Sequence, residues 1–89
     1  MTTDTDRAAE FLTALANPKR LLVLDLLTKN ELSVGDLAEQ VGLSQSALSQ
    51  HLAKLRAAHL VSTRKNGQTI YYSCRDSVVA DILKLVLRR

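Results

Sequence analysis

The chain has 89 residues, with 12 Lys and Arg against 9 Asp and Glu for a net charge of +3, and is one domain at most, since domains typically run to roughly 100–150 residues. Apolar residues make up 46% of it, yet only one Phe and two Tyr are aromatic, so the core is aliphatic and of a composition that favours helices. The single cysteine, Cys74, excludes an internal disulfide and any metal cage needing two thiolates from one chain, and it suits a reducing compartment.

The N-terminal residues Met1 to Arg7 are polar and include Asp4 and Asp6. They do not read as a signal or transit peptide, and no apolar run approaches the ~20 residues of a membrane span. A soluble, cytoplasmic protein with no membrane partner is the expectation. The first periodic segment, about Thr5–Ala16, places Ala8, Phe11, Leu12 and Leu15 at helical spacing. It stops at Asn17-Pro18, where Asn17 can cap the next helix with its side-chain oxygen and Pro18 fits the first helical position. The second helix, about Lys19–Lys29, carries Leu21, Leu22, Val23, Leu24, Leu26 and Leu27. Almost no polar face remains, which marks it as the central core helix.

Two shorter helices follow, each opened by a serine: Ser33 before Val34–Val41, and Ser44 before Gln45–Ala58. Between them Gly42 supplies a left-handed residue that ends one helix before Ser44 starts the next. A tight turn of this kind between short helices is a helix-turn-helix signature. After Leu60 the period changes from 3.6 to 2. Val61–Lys65 and Gln68–Ser73 read as strands joined by Asn66-Gly67, a strong hairpin signal. That loop pairs Lys65 with Gln68, Arg64 with Thr69, Thr63 with Ile70, Ser62 with Tyr71 and Val61 with Tyr72. Val61, Thr63, Ile70 and Tyr72 are then expected to pack inward, leaving Ser62, Arg64, Thr69 and Tyr71 free. The last segment, about Asp76–Arg89, opens with acid and ends in Arg88 and Arg89, as the helix dipole favours. It carries two apolar stripes, Val78/Ile82/Leu85 and Val79/Leu83/Val86. One suffices to dock on so small a domain, so the second needs another surface, and Leu83 and Val86 are the positions expected at a dimer contact.

Charge is unevenly spread. Residues 1–40 hold four cations and seven carboxylates, while residues 41–89 hold eight cations against Asp76 and Asp81 alone. From Val41 to Arg75 there is no carboxylate, and Lys54, Arg56, Arg64, Lys65 and Arg75 all fall inside. A polyanion contact requires such a stretch, because each neutralised phosphate releases counterions and a nearby carboxylate would undo the gain. In the helix that follows Gly42, Leu48, Leu52 and Leu55 define a buried side, and Ser46, Ser49, Gln50, Ala53 and Lys54 lie opposite. Such a small, polar, lightly basic face can sink into the major groove. Gln50 there offers a bidentate fit to adenine, the serines reach base edges or phosphates, and Lys54 holds backbone. Any surface helix shows polar residues outward, but the preceding turn, the carboxylate-free stretch and the basic hairpin weigh against that bland alternative.

The series Asn17-Pro18-x-Arg20-Leu21, Glu31-Leu32-Ser33-Val34-Gly35-Asp36-Leu37-Ala38, Leu43-Ser44-Gln45-Ser46-Ala47-Leu48-Ser49-Gln50-His51-Leu52-x-x-Leu55, and Leu60-Val61 with Tyr71-Tyr72 resembles the ArsR/SmtB winged-helix repressors over nearly the whole chain. The recognition helix and hairpin look most like those of NolR-type regulators. The resemblance implies a homodimer joined through its first and last helices and bound to a palindromic operator, and such a dimer would cover the spare apolar stripe. Departures are equally informative. Metal-sensing members carry cysteines within the segment that reads Glu31–Leu37 here, whose Ser33 and Gly35 are not soft thiolate ligands, or Asp and His ligands on the last helix, which has no histidine here. Dithiol sensors need two cysteines. His59 also stands where glycine is usual, and His tolerates a left-handed backbone better than most residues.

His51, His59 and Cys74 show no metal-ligand spacing, so His51 reads as a partly packed helix residue and Cys74 as a small apolar filler. Arg64 and Lys65 are either a solvated strand edge or phosphate contacts at the hairpin tip, and Arg20 is a structural or phosphate-side partner. No phosphate loop, nucleophile elbow or paired acidic site is present. The expected fold is mainly α with a β-hairpin wing (α+β): a winged helix-turn-helix of about five helices plus a two-stranded hairpin, one domain over 1–89. Its recognition helix is about 44–58, its wing about 61–73, and its dimerisation segments about 5–16 and 76–89. Candidate DNA-binding residues are Ser44, Gln45, Ser46, Ser49, Gln50, Lys54, Arg64 and Lys65. The expected function is sequence-specific binding of double-stranded DNA by a transcriptional repressor, with no enzyme activity, cofactor or metal. Two other readings stay open: a winged-helix module for protein interaction, and a DNA-binding sensor of redox state or a ligand through Cys74.

Overall fold

The computed structural model describes residues 2–88, in the order α1 (Asp4–Leu15), α2 (Pro18–Lys29), β1 (Leu32–Ser33), α3 (Val34–Val41), α4 (Gln45–Ala57), β2 (Ser62–Asn66), β3 (Thr69–Ser73) and α5 (Ser77–Leu87). Met1 and the expected helix-ending Arg89 lie outside the described residues. Side-chain caps start each helix. Thr3 and Asp6 form a reciprocal capping box on α1. Asn17 Oδ1 accepts from the amides of Lys19 and Arg20 at 2.9 and 3.0 Å, and Asp76 Oδ1 accepts from Val78 and Val79. Each satisfies amides that the first helical turn leaves unpaired.

Two left-handed residues end helices in the same way. At the end of α3, Gly42 has φ +69°, and the Leu43 amide donates to Ala38 O at 3.0 Å. At the end of α4, His59 has φ +60°, and the Leu60 amide donates to Leu55 O at 3.0 Å. This six-to-one bond with a left-handed residue before it is the Schellman arrangement. His59 thus adopts the conformation required of it without being glycine.

Helix α2 touches α1, α3, α4, α5 and β3, so the expected central helix is central. Val23, Leu24 and Leu27 meet Leu37, Leu48, Leu52, Leu55 and Val79 in one aliphatic cluster. On α5, Val79 and Leu83 enter this core, Leu83 being 3% exposed, while Val78 and Leu85 are 55% and 73% exposed and Val86 is also exposed. Leu83 is therefore a core residue and not a contact position. The outward stripe is Val78/Ile82/Leu85, continued by Val86.

The hairpin differs from expectation in three respects. It belongs to a three-stranded antiparallel sheet of order β1-β3-β2, in which Leu32 pairs with Tyr72 and Ser33 with Tyr71. Its loop is Gly67-Gln68, with Asn66 opposite Thr69, so Thr63 pairs with Tyr72, Arg64 with Tyr71 and Lys65 with Ile70. Gly67 at the first loop position has φ +64°, where a type II′ hairpin takes glycine. An Asn66-Gly67 loop of type I′ would need both residues left-handed. The displacement along β3 is two residues, and an even shift leaves every side chain on its expected face. The inward face is nevertheless covered only at its base: Tyr72 and Cys74 are buried and Val61 half-buried, whereas Thr63 and Ile70 are exposed. The rest of the wing extends past the core.

Candidate nucleic-acid interface

Helix α4 is anchored by Leu48, Leu52 and Leu55, each at most 1% exposed. Ser46, Ser49, Gln50, Ala53 and Lys54 are all exposed on its other side. Ser44 is the helix cap, its Oγ accepting from the Ala47 amide at 3.1 Å, which leaves its hydroxyl proton available to an outside acceptor. Gln45 lines a groove shared with Val34, Gly35 and the wing residues Gln68, Thr69 and Ile70. The start of α4 and the wing tip therefore flank one depression. Lys54 lies nine residues further along, about 13 Å at helical rise, in a second depression with Glu10, Thr13 and Arg20. The polar face thus runs from the wing toward α1.

What holds α4 in this attitude is partly Arg20. This side chain is 8% exposed; its Nε donates to Ala14 O at 2.7 Å and its Nη2 to Thr13 O at 3.2 Å, and Nη1 lies 3.5 Å from His51 Nδ1. The cation stabilises the carbonyl end of α1 and reaches α4 one residue from Gln50. Arg20 is thus structural. Burial, together with the Arg20 and Lys54 charges, lowers the affinity of His51 for a proton, which suits a neutral ring whose Nδ1 accepts. Lys19 adds a further strut, its Nζ donating to Val41 O at 2.8 Å, so α2 holds the last turn of α3 by a cation at its carbonyl end.

On the wing, Lys65 is exposed and has no ion pair among the described residues. Arg64 is engaged. Its Nε donates to both oxygens of Glu31 at 3.1 Å, its Nη2 donates to Oε1 at 2.7 Å, and its guanidinium lies 4.8 Å from the centre of the Tyr71 ring. The Arg64 hydrogen bond holds the Glu31 carboxyl below the usual carboxylate range despite some desolvation. The stretch that is free of carboxylates in sequence is thus not free of them in space. Glu31, Gln68 and Thr69 were not among the expected site residues. Proximity to the hairpin loop points to the last two; Glu31 depends on β1, which no local signal announces.

Cys74 is buried, its amide donates to Leu27 O at 3.1 Å, and burial pushes its thiol up. Such a thiol carries little reactive thiolate. Among the described residues no three His, Cys, Asp or Glu side chains gather to hold a metal ion, and no helix is long and apolar enough to cross a membrane.

Residues 17–63, from the cap of α2 to the first residues of the wing, match the family described as "Bacterial regulatory protein, arsR family". The nodulation protein NolR of Rhizobium meliloti is 65% identical over 80 residues, covering 90% of this chain and 66% of that protein, so the chain spans about two thirds of its length. The transcriptional activator HlyU of Vibrio cholerae is 49% identical over 82 residues, covering 92% of this chain and 76% of that protein. The crystal structure of NolR from Sinorhizobium fredii superposes with a TM-score of 0.90 at 61% identity, covering 93% of this chain and 83% of that one. These relatives are transcriptional regulators and not enzymes, and the winged helix-turn-helix fold is shared across them. The chain belongs to the arsR family of bacterial regulatory proteins.

Proposed function

We propose that this chain represses transcription as a homodimer seated on a palindromic operator, with α4 in the major groove of each half-site and the wing over the flanking backbone. The observation that carries the reading is the placement of α4. Its apolar side is locked into the core, its small polar side is wholly exposed, and its first turn shares a groove with the wing tip. A helix that is to enter a groove about 12 Å wide must present small side chains outward, and Ser46, Ser49, Gln50 and Ala53 do so.

The dimer rests on the α5 stripe and on area. The protomer exposes 5972 Å², against roughly 5,200 Å² for a compact monomer of its mass. The excess of roughly 800 Å² is about one partner's share of a standard interface. Repression is the simplest output of such a dimer, since occupying an operator excludes other proteins from that DNA. Relatives include both an activator and repressors, so the sign of regulation needs its own test.

Selection of bound duplexes from a random pool tests the reading. It is expected to yield an inverted repeat with half-sites about one helical turn, roughly 34–36 Å, or a multiple of it apart. Transcription in vitro from a promoter overlapping that sequence is expected to fall when the protein is added. Recovery of single, unrepeated sites would contradict the two-fold reading, and increased transcription would contradict repression.

A further inference from the structure

We propose that the Glu31 carboxylate stands in for a DNA phosphate on the wing: it holds the Arg64 guanidinium in the free protein and surrenders it to the duplex backbone, so that Glu31 sets the sequence-independent affinity of this face. The inference rests on the DNA-binding reading above and adds to it a residue outside α4 and the hairpin. Three observations carry it. First, the sheet places Ser33, Tyr71 and Arg64 in one row across β1, β3 and β2, and Glu31 immediately precedes β1. The fold itself therefore brings together two residues 33 positions apart.

Second, the contact has the geometry of phosphate recognition. Nε and Nη2 engage both carboxylate oxygens at 2.7 to 3.1 Å, the forked arrangement in which guanidinium binds either carboxylate or phosphate. Nη1 meets no acceptor among the described residues. Stacking on Tyr71 at 4.8 Å restrains the guanidinium, so an exchange of anions does not require the arginine to be rebuilt.

Third, the pair is open to exchange. The Arg64 side chain is 53% exposed and that of Glu31 30%. Exposed ion pairs contribute little net stability because water and salt compete for them. A polyanion with a dense row of phosphates is a strong competitor, since its condensed counterions are released on contact. In the unaltered protein one released carboxylate must take up counterions of its own, which offsets part of that gain. Removing the carboxylate's charge removes the offset.

The test compares the unaltered protein with Glu31→Gln and Arg64→Ala on a duplex of arbitrary sequence over a salt series, together with the NMR signal of the Arg64 Nε–H. Glu31→Gln is expected to bind the duplex about threefold to tenfold more tightly at low salt, with a log-log salt slope steeper by up to about one per subunit. Arg64→Ala is expected to bind more weakly with a shallower slope. The Nε–H signal is expected to move when Glu31 is replaced and, in the unaltered protein, when duplex is added. Unchanged or weaker binding by Glu31→Gln with an unchanged circular dichroism spectrum overturns the proposal, as does an Nε–H signal indifferent to duplex. If the unaltered protein shows no salt-dependent duplex binding at all, the DNA-binding reading fails, and this proposal falls with it.

Discussion

Replacing Leu85 by Asp separates the proposed subunit contact from the folded core. Leu85 is 73% exposed in the protomer, so in a monomer the new carboxylate stays in water. It then costs about 1 kcal/mol or less, through lower helix propensity and its place near the carbonyl end of α5. In a two-fold dimer the substitution acts twice. Withdrawing a buried leucine from each side loses roughly 1.5–3 kcal/mol per copy, or about 3–6 kcal/mol in all, which weakens the dimer by roughly 10²- to 10⁴-fold. Sedimentation equilibrium over a concentration series measures the dissociation constant, and thermal melting followed by circular dichroism reports the fold. Leu83→Ala is the contrast: it opens a cavity beside Val79 in the core and is expected to cost about 2–5 kcal/mol of folding stability. A Leu85→Asp protein that dimerises as tightly as the unaltered one refutes the assignment of the outward stripe. So does a Leu83→Ala protein that loses its dimer while melting normally.

His59→Gly relieves a left-handed residue that costs about 1–2 kcal/mol, offset by the greater freedom of glycine in the unfolded chain; a gain of about 0.5–1 kcal/mol, or about 2–8 °C in Tm, is expected, and a lower Tm would show that the His59 side chain contributes more than its backbone costs. Cys74, buried and with its thiol pushed up, is expected to resist alkylation at neutral pH until the protein is unfolded by denaturant, so rapid native-state labelling would reopen the thiol-sensor reading. Because His51 binds a proton less readily in the fold than at its ordinary value of 6.5, the unfolded chain protonates first as pH falls. Folding stability is then insensitive to His51 above that value and declines below it until the folded value is passed. His51→Gln is expected to flatten that part of the stability profile, and an identical profile in the variant would contradict the assignment.

The helices were legible because their signals are local. Asn17, Ser33, Ser44 and Asp76 act on amides two or three residues away, and Gly42 ends α3 by its own backbone conformation. The exposed polar face of α4 was legible for the same reason, since helical period alone sorts the buried Leu48, Leu52 and Leu55 from the exposed Ser46, Ser49 and Gln50. Strand β1 was not, because two residues carry no period and their partners on β3 lie about forty positions away. The hairpin loop lies one residue later than its local signal suggests, since Asn66-Gly67 and Gly67-Gln68 are both acceptable turns and cross-strand pairing decides between them. On α5 the two stripes are equally apolar, and only the packing of Val79 and Leu83 against α2 shows which faces inward. The Glu31–Arg64 pair shares this cause: a charge pattern read along the chain does not see what the sheet brings alongside it.

The most direct test of α4 as the reading helix is the base preference of Gln50→Ala, measured by selection from a random duplex pool beside the unaltered protein. Preference is expected to relax at one position in each half-site, where the favoured base loses about 1–3 kcal/mol of discrimination, while affinity for arbitrary sequence and its salt slope stay as they were. If Gln50→Ala instead weakens binding to every sequence alike and leaves the preferred site unchanged, α4 positions the protein on the backbone and reads no base through Gln50.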